Sequence, residues 1–274
     1  MGRLLLMLTG CLVALPCWAA TLPYAVADKP LPVYNRAADA ASGATVRPDA
    51  CGQVRQLEFI ALPGTTFRIV NSGNIGQQTF FEVTSNAYHP TAGVRLFVNP
   101  DGLTRRAAPA PPRMPPTLPP KELLRRLRSA VGMPYVWGGN VRQGVTLARG
   151  QRAYAGLDCS GLLYEATDGL TPRNTAELVG HGQAVPIAGL SRDQLISRLK
   201  PLDLIVWKGH VVVVLDRGQA IESVLWCGRP GNGGVRISKL RHRLGEIMAL
   251  RRGVDRWPAG DGEPRLFVVR RWLP

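Results

Sequence analysis

The chain has 274 residues, 45% of them hydrophobic, which is ordinary for a globular protein and enough to bury the cores of one or two domains. Its formal net charge of +15 indicates attraction to polyanions. The arginines are scattered rather than set among aromatic residues, and together with the export signal described next this excludes a nucleic-acid binder. After the first twenty residues no stretch is long and apolar enough to span a membrane.

Residues 1–20 predict a secretory signal peptide. They combine one arginine, an apolar stretch and small residues at Ala19 and Ala20. A membrane span would need about 20 apolar residues, and Pro16 interrupts this run. Residues 8–11 also resemble a bacterial lipobox, so a lipid anchor at Cys11 is the less favoured alternative. We therefore expect an exported protein, periplasmic or secreted and associated with the cell wall, with weak attraction to anionic envelope polymers.

Removal of the signal peptide leaves three cysteines, Cys51, Cys159 and Cys227. An odd number in an oxidising compartment indicates one disulfide and one free thiol. We predict that Cys51 pairs with Cys227 and that Cys159 is free. The alternative is three independent buried thiols.

The first half of the mature chain predicts a small β domain. Residues 21–44 read as an extended lead-in, and residues 45–105 contain short apolar runs separated by turn signals such as Pro63-Gly64. Four or five short strands in this order resemble a bacterial SH3-like β-barrel. The alternative is a β extension of the following domain without a separate role. Residues 106–120 are dense in proline and predict a stiff linker, rather than a ligand for a proline-binding module.

Residues 121–274 predict an α+β domain. An amphipathic helix starts at Lys121 and ends at Gly132, and a second short helix over residues 191–199 has Ser191 as its cap. Between them lies a polar, glycine-containing insertion over residues 140–156. Strands of an antiparallel sheet then follow in the order 204–207, 211–215, 219–226, 235–237 and 264–272.

Cys159 is the candidate nucleophile. Asp158 is a good helix N-cap, which would place Cys159 at a helix N-terminus, where the macrodipole lowers the pKa of a thiol. The alternative is a small buried cysteine that opens a core helix.

His210 is the candidate base, because it precedes four valines at the end of a predicted strand, where packing does not call for a titratable side chain. The next strand brings Glu222 back beside it, where a carboxylate would orient the imidazole. The alternative is a strand-end histidine and a surface glutamate. The other three histidines are predicted to be structural or solvated: His89, His181 and His242. No histidines or cysteines have metal-ligand spacing, so we expect no metal and no cofactor.

Several short motifs occur in the order found in NlpC/P60 cysteine peptidases, over about residues 121–226. They are Tyr135-Val-Trp-Gly-Gly139, Asp158-Cys-Ser-Gly161, Pro172-Arg173, Pro201-Leu-Asp-Leu204, and His210 with Glu222. The resemblance implies a papain-like α+β core, with helices packed on an antiparallel sheet, that cleaves peptidoglycan stem peptides. It further implies that Cys159 attacks, that His210 acts as base and then acid, and that Glu222 orients His210.

The resemblance also implies a substrate groove. Tyr135, Asp158 and Ser160 would hold the free amine of an N-terminal L-alanine, and the SH3-like domain would close one end of the groove. The expected reaction cuts the γ-D-glutamyl bond to the diamino acid in muropeptides released from the glycan, catalysed by a monomer. Further groove residues are expected at Trp137, Arg173 and Thr175. Alternatives are an amidase or other acyl-transfer enzyme on the same core, and a non-catalytic wall-binding module.

Three features depart from the family pattern. The usual glycine before Asp203 is Leu202, a minor change in a turn. The third catalytic position is usually His, Asn or Gln, and an anionic Glu222 is expected to raise the basicity of His210. The insertion over residues 140–156 is longer than the family norm, and one interpretation is a lid over the site.

Overall fold

The computed structural model describes residues 22–114, 116–258 and 265–273. The predicted signal peptide and the lipobox lie outside these residues. Within them, no helix combines the length and the apolar character that crossing a membrane requires.

The N-terminal half is built on an antiparallel sheet in which seven strands of the described chain follow the order β3-β2-β6-β5-β4-β1-β7. Its buried core is rich in aromatic and branched side chains, among them Phe59, Phe67 and Val83. The elements are β1 (Tyr24–Ala27), β2 (Leu31–Tyr34), α1 (Ala37–Ser42), β3 (Leu57–Ala61), β4 (Thr66–Ile75), β5 (Gln78–Ser85), β6 (Leu96–Val98) and β7 (Leu103–Arg106). The strands predicted over residues 45–105 are therefore present, while the SH3-like assignment stays a prediction.

The lead-in predicted over residues 21–44 is wrong. β1 pairs with β4 and β7, and β2 pairs with β3 and β6, so both strands lie inside the sheet. All four residues of β2 are buried. Strands of four residues are too short to show periodicity, and Pro32 argued locally against one. Their pairing partners lie tens of residues further along the chain, so tertiary contacts decide their conformation.

The C-terminal half is the predicted α+β domain, whose main sheet has the order β12-β18-β13-β14-β15-β16 and is antiparallel along this path. Its helices are α2 (Pro120–Ser129), α3 (Cys159–Ala166), α4 (Thr175–Leu178), α5 (Arg192–Arg198) and α6 (Leu240–Leu250). Its strands are β8 (Asn140–Val141), β9 (Val145–Thr146), β10 (Arg152–Ala153), β11 (Gly156–Leu157), β12 (Gln183–Val185), β13 (Leu204–Trp207), β14 (His210–Val214), β15 (Gln219–Leu225), β16 (Gly233–Lys239), β17 (Arg252–Gly253) and β18 (Leu266–Arg271).

The valine run of β14 shows how this sheet is buried on both faces. Val211 and Val213 pack into the cluster that contains α2 and α3, whereas Val212 and Val214 pack into the cluster of α5 and α6. Alternate side chains of a strand point to opposite faces, so four successive valines fill two cores. The candidate histidine is thereby fixed at the first position of a strand held on both sides.

The insertion packs against the N-terminal half instead of forming a lid. Strands β8 to β11 form two small antiparallel pairs, β8 with β11 and β9 with β10. Val145 and Leu147 are buried in one cluster with Tyr34 and Leu57 of the N-terminal half. The packing partners lie far earlier in the chain, so no local pattern within the insertion reveals this packing.

A disulfide also links the two halves. Cys51 is bonded to Cys227 across 176 positions, the pairing expected from the cysteine count, and Cys159 is a free, buried cysteine.

Candidate active site

Cys159 is the first residue of α3. Asp158 precedes it in an extended conformation, and its Oδ1 accepts the backbone N–H of Gly161 at 2.6 Å, so the predicted N-cap is present. The helix is buried along most of its length and packs against β14 and β15. Gly161 cannot be larger, because a Cβ there would collide with the carbonyl oxygen of Gly139. These contacts fix the position of the thiol.

The Cys159 thiol is buried at 8% exposure, and its Sγ contacts the carbonyl oxygen of Gly209 at 3.8 Å. Burial raises the pKa of this thiol to about 12, with a further rise from the Asp158 charge. Arg173 and the backbone N–H groups of Ser160 and Val211 act in the opposite direction without reversing the shift. Desolvation therefore outweighs the helix N-terminus that suggested a lowered pKa. The thiol needs a base to become a nucleophile.

His210 directly follows Gly209, the residue whose carbonyl oxygen contacts the thiol, and it starts β14. Its Nε2 lies 2.8 Å from Oε2 of Glu222, and its ring lies 5.2 Å from the ring of Trp207, its partner across the β13–β14 pair. An ionised carboxylate can only accept a hydrogen bond, so Nε2 carries the hydrogen. This tautomer leaves Nδ1 as the basic nitrogen.

Glu222 is fully buried and is not the surface residue of the alternative interpretation. Burial by itself would raise its pKa, but the hydrogen bond and charge of His210, together with Arg243 and Arg236, lower the pKa to about 2. Both arginines contact the carboxylate at 2.9 Å. Glu222 is therefore an anion across the working pH range.

Asp158 and Arg173 form a buried ion pair. Arg173 is 2% exposed, and its Nη1 and Nη2 donate to the two Asp158 oxygens at 3.0 and 2.7 Å. Nη1 also donates to Ser160 Oγ at 2.9 Å, and Nε donates to Asn140 Oδ1 at 3.2 Å. Arg173 was expected to line the substrate groove. Its surface is instead used to hold the residues that flank Cys159.

The other expected groove residues occupy different settings. Tyr135 is buried at 9% exposure, and burial raises the pKa of its phenol well above the ordinary value, with a further contribution from Asp158. Trp137 is 38% exposed, and the Arg55 guanidinium lies over its ring at 4.5 Å. Thr175 Oγ1 accepts the backbone N–H of Gly209 at 2.9 Å. Thr175 thus holds the turn before His210.

The three other histidines lie in other surroundings. His89 bonds Glu177 at 2.7 Å, and His242 lies 3.2 Å from Glu246 on the exposed side of α6. His181 is partly buried, with its ring 6.1 Å from that of Trp272. In the described part of the chain, no cluster of acidic, histidine or cysteine side chains could hold a metal ion.

Sequence reasoning missed two amides that join the N-terminal half to the site. Asn140 is fully buried, bonds both backbone groups of Ile60 at 3.0 and 2.9 Å, and accepts from Arg173. Gln53 Oε1 accepts the backbone N–H of Trp137 at 2.8 Å. The position of Asn140 directly after Gly138-Gly139 was the available signal. Gln53 offered none beyond its nearness to Cys51.

The site thus combines a buried thiol, which contacts the residue before His210, with an imidazole–carboxylate pair in an α+β domain. This is the set of groups that thiol-dependent acyl transfer requires. The chain is 34% identical over 108 residues to the peptidoglycan endopeptidase RipB of Mycobacterium tuberculosis, covering 37% of this chain and 42% of RipB. The chain thus aligns with less than half of the length of this curated relative. No family model matches the chain.

Solved structures that are similar to the chain include a peptidoglycan hydrolase and an NlpC/P60 family protein. One is the peptidoglycan hydrolase RipB of M. tuberculosis, with 26% identity, a TM-score of 0.35, and coverage of 57% of this chain and 65% of that one. The other is an NlpC/P60 family protein of Bacillus cereus, with 19% identity, a TM-score of 0.34, and coverage of 92% and 63%. The ordered motifs and the RipB relative show that this part of the chain is similar to peptidoglycan hydrolases of the NlpC/P60 type.

Proposed function

We propose that the protein is a cysteine endopeptidase that hydrolyses peptidoglycan stem peptides at the γ-D-glutamyl bond to the diamino acid. The observation that carries this proposal is the free thiol of Cys159, which contacts the residue before His210, while buried Glu222 fixes the imidazole. The RipB relative, which is a peptidoglycan endopeptidase, supports the substrate class.

In the first half of the proposed reaction His210 acts as general base. Because burial keeps the thiol protonated, its proton moves to Nδ1 of His210 as the sulfur attacks the carbonyl carbon of the scissile bond. The imidazolium that forms is stabilised by Glu222 through Nε2–H. The backbone N–H of Cys159 at the start of α3 meets the developing oxyanion.

In the second half His210 acts as general acid and then as base again. It returns the proton to the departing amine, and the C–N bond breaks to leave a thioester on Cys159. A water molecule then gives a proton to His210 and attacks the thioester, which releases the carboxylate product and restores the thiol. Each proton that the imidazole accepts is thus returned within the cycle.

The binding of a free N-terminal amine rests on Asp158. Its Oδ1 accepts from Gly161, Ser160 and Arg173, whereas Oδ2 accepts from Arg173 Nη2. A carboxylate oxygen can accept a second hydrogen bond, so we propose that Oδ2 also accepts from an ammonium group. The Arg173 charge opposes a second cation at this carboxylate, so we propose that the amine adds a modest preference. Tyr135 and Trp137 complete the proposed groove.

The test is digestion of defined muropeptides followed by mass spectrometry. The wild type is expected to cleave free stem peptides after D-glutamate, and N-acetylation of the L-alanine should slow cleavage only a few-fold. Cys159→Ala and His210→Ala should abolish the product, whereas His242→Ala, which changes an exposed histidine, should leave it unchanged.

Other outcomes point to the alternatives. Binding of muropeptides without any product from the wild type would refute the endopeptidase and favour a wall-binding module. Release of the whole stem peptide from the glycan would refute the proposed bond and favour an amidase.

A further inference from the structure

Glu222 is held by two arginines from two different elements. Arg236 lies directly opposite Glu222 in the β15–β16 register, and its Nε and Nη2 donate to Oε1 at 3.2 and 2.9 Å. Arg243 comes from α6, and its Nε and Nη2 donate to Oε2 at 3.1 and 2.9 Å. Oε2 also receives His210. We call Arg236 and Arg243 the arginine pair.

Each member of the arginine pair is itself fixed by another partner. Arg236 stacks over the Trp226 ring at 4.3 Å. Arg243 is 15% exposed, and its Nη1 donates to Glu246 at 3.0 Å. The arginine pair therefore places two fixed guanidinium groups against the Glu222 carboxylate.

The remaining charged groups around His210 come from its own turn and from beyond α6. Lys208 lies in the turn that joins β13 to β14. Arg251, just after α6, stacks on Trp207 at 4.5 Å, and the Trp207 ring contacts that of His210. Cys159 lies next to this turn through Gly209.

A buried carboxylate that had only a histidine as partner could take up the imidazole proton or become protonated itself, because burial disfavours its charge. Guanidinium groups stay charged at every working pH and donate in a fixed geometry. Two of them keep Glu222 anionic and leave it only one arrangement of its two oxygens.

We propose that Arg236 and Arg243 are positioning residues that keep Glu222 ionised and oriented, so that it accepts Nε2–H of His210 and leaves Nδ1 for the thiol. This inference rests on the proposed function, since it assigns a role within the same site. The arginines act through Glu222 and do not touch the substrate.

The test uses Arg243→Met and measures the rate of Cys159 alkylation by iodoacetamide against pH, a readout that needs no substrate. Loss of one cation lets Glu222 protonate at higher pH and also makes the imidazolium more favourable. Both effects reduce the fraction of His210 that is neutral and correctly oriented at acidic pH. The acidic limb of the pH–rate profile should therefore move to higher pH by about one unit or more. The rate on that limb then falls about tenfold.

Matched variants separate positioning from general effects. Arg243→Lys keeps the charge and should restore most of the profile. Arg241→Met removes an arginine of the same helix that pairs with exposed Asp193, and it should leave the profile unchanged. If Arg243→Met folds poorly, Arg236→Gln on β16 tests the same role, and the same shift of the acidic limb is expected. In a Glu222→Gln background, Arg243→Met should shift the acidic limb less than it does in the wild type, because no carboxylate is present for Arg243 to keep ionised.

The outcomes distinguish this inference from the proposed function. If the Arg243→Met profile coincides with those of wild type and Arg241→Met, or shifts equally in the Glu222→Gln background, the positioning role is overturned. If the expected shift occurs but the wild type cleaves no muropeptide, the positioning role stands and the proposed substrate fails.

Discussion

Replacing Arg173 by methionine is expected to lower the free energy of unfolding by about 3–5 kcal/mol. The substitution keeps an apolar side chain of similar length but leaves the Asp158 carboxylate, at 9% exposure, without its cation. The substitution removes the hydrogen bonds that Arg173 makes to both Asp158 oxygens, to Ser160 and to Asn140. An unpaired buried charge is among the most destabilising changes that a single substitution makes.

A double-mutant cycle shows whether this cost belongs to the ion pair. Asp158→Asn removes the charge and keeps an oxygen that can cap α3, so the double variant with Arg173→Met has no unpaired charge. It should be more stable than Arg173→Met alone, with a coupling free energy of about 2–3 kcal/mol. Cys159 alkylation should slow in Arg173→Met, because the unpaired carboxylate further disfavours the thiolate.

The measurement is urea unfolding followed by circular dichroism at pH 7, extrapolated linearly to water. Arg125→Met is the matched control: Arg125 bonds Glu122 through two nitrogens at 2.7 and 2.6 Å, but 67% of its side chain is exposed. It should cost less than about 1 kcal/mol. A loss below about 1 kcal/mol for Arg173→Met, or strict additivity in the cycle, would refute the reasoning that the pair holds this site together.

Two further predictions concern stability. The pKa of Glu222 falls from an ordinary 4.5 to about 2, so its charged form stabilises the fold above pH 4.5 and this contribution, about 3 kcal/mol, is lost as pH falls towards 2. The free energy of unfolding of Glu222→Gln should accordingly change less with pH over this window than that of the wild type. Parallel pH dependences of the two proteins would contradict the buried anion. Replacing Cys51 and Cys227 by alanine opens a link across 176 positions and should cost up to about 5 kcal/mol in urea unfolding. Equal stability of the double variant, the oxidised wild type and the reduced wild type would rule out a stabilising disulfide.

The elements that the sequence predicted well carry strong local signals. Four successive valines flanked by turn residues predicted β14, and Ser191 with Gln194 forms the capping box of the helix predicted over residues 191–199. The meeting of His210 and Glu222 followed from hairpin geometry, because two antiparallel strands joined by a tight turn return the chain to a known place. In each case the information lies within about fifteen residues.

The features that were missed depend on contacts between distant residues. Arg173 is buried with Asn140, 33 positions away, as well as with Asp158, and no local pattern tells a groove arginine from a buried one. The thiol pKa was misjudged for the same reason: the helix N-terminus is visible in the sequence, whereas the burial that outweighs it arises only from packing. Arg236 and Arg243 were hidden among the many arginines of a chain with net charge +15.

Two series of contacts connect the N-terminal half to the surroundings of Cys159 and of His210, the two proposed reacting groups. The backbone of Ile60 bonds Asn140, and Asn140 accepts from Arg173. Arg173 in turn pairs with Asp158, the N-cap of the helix that begins at Cys159.

On the other side, the disulfide fixes Cys227, next to Trp226, whose ring supports Arg236 against Glu222. Cys159 and His210, the proposed nucleophile and base, are therefore each linked to the N-terminal half through such a chain of side chains. Because buried polar networks lose more than the sum of their parts when one member moves, separation of the halves would disturb the thiol and the imidazole together.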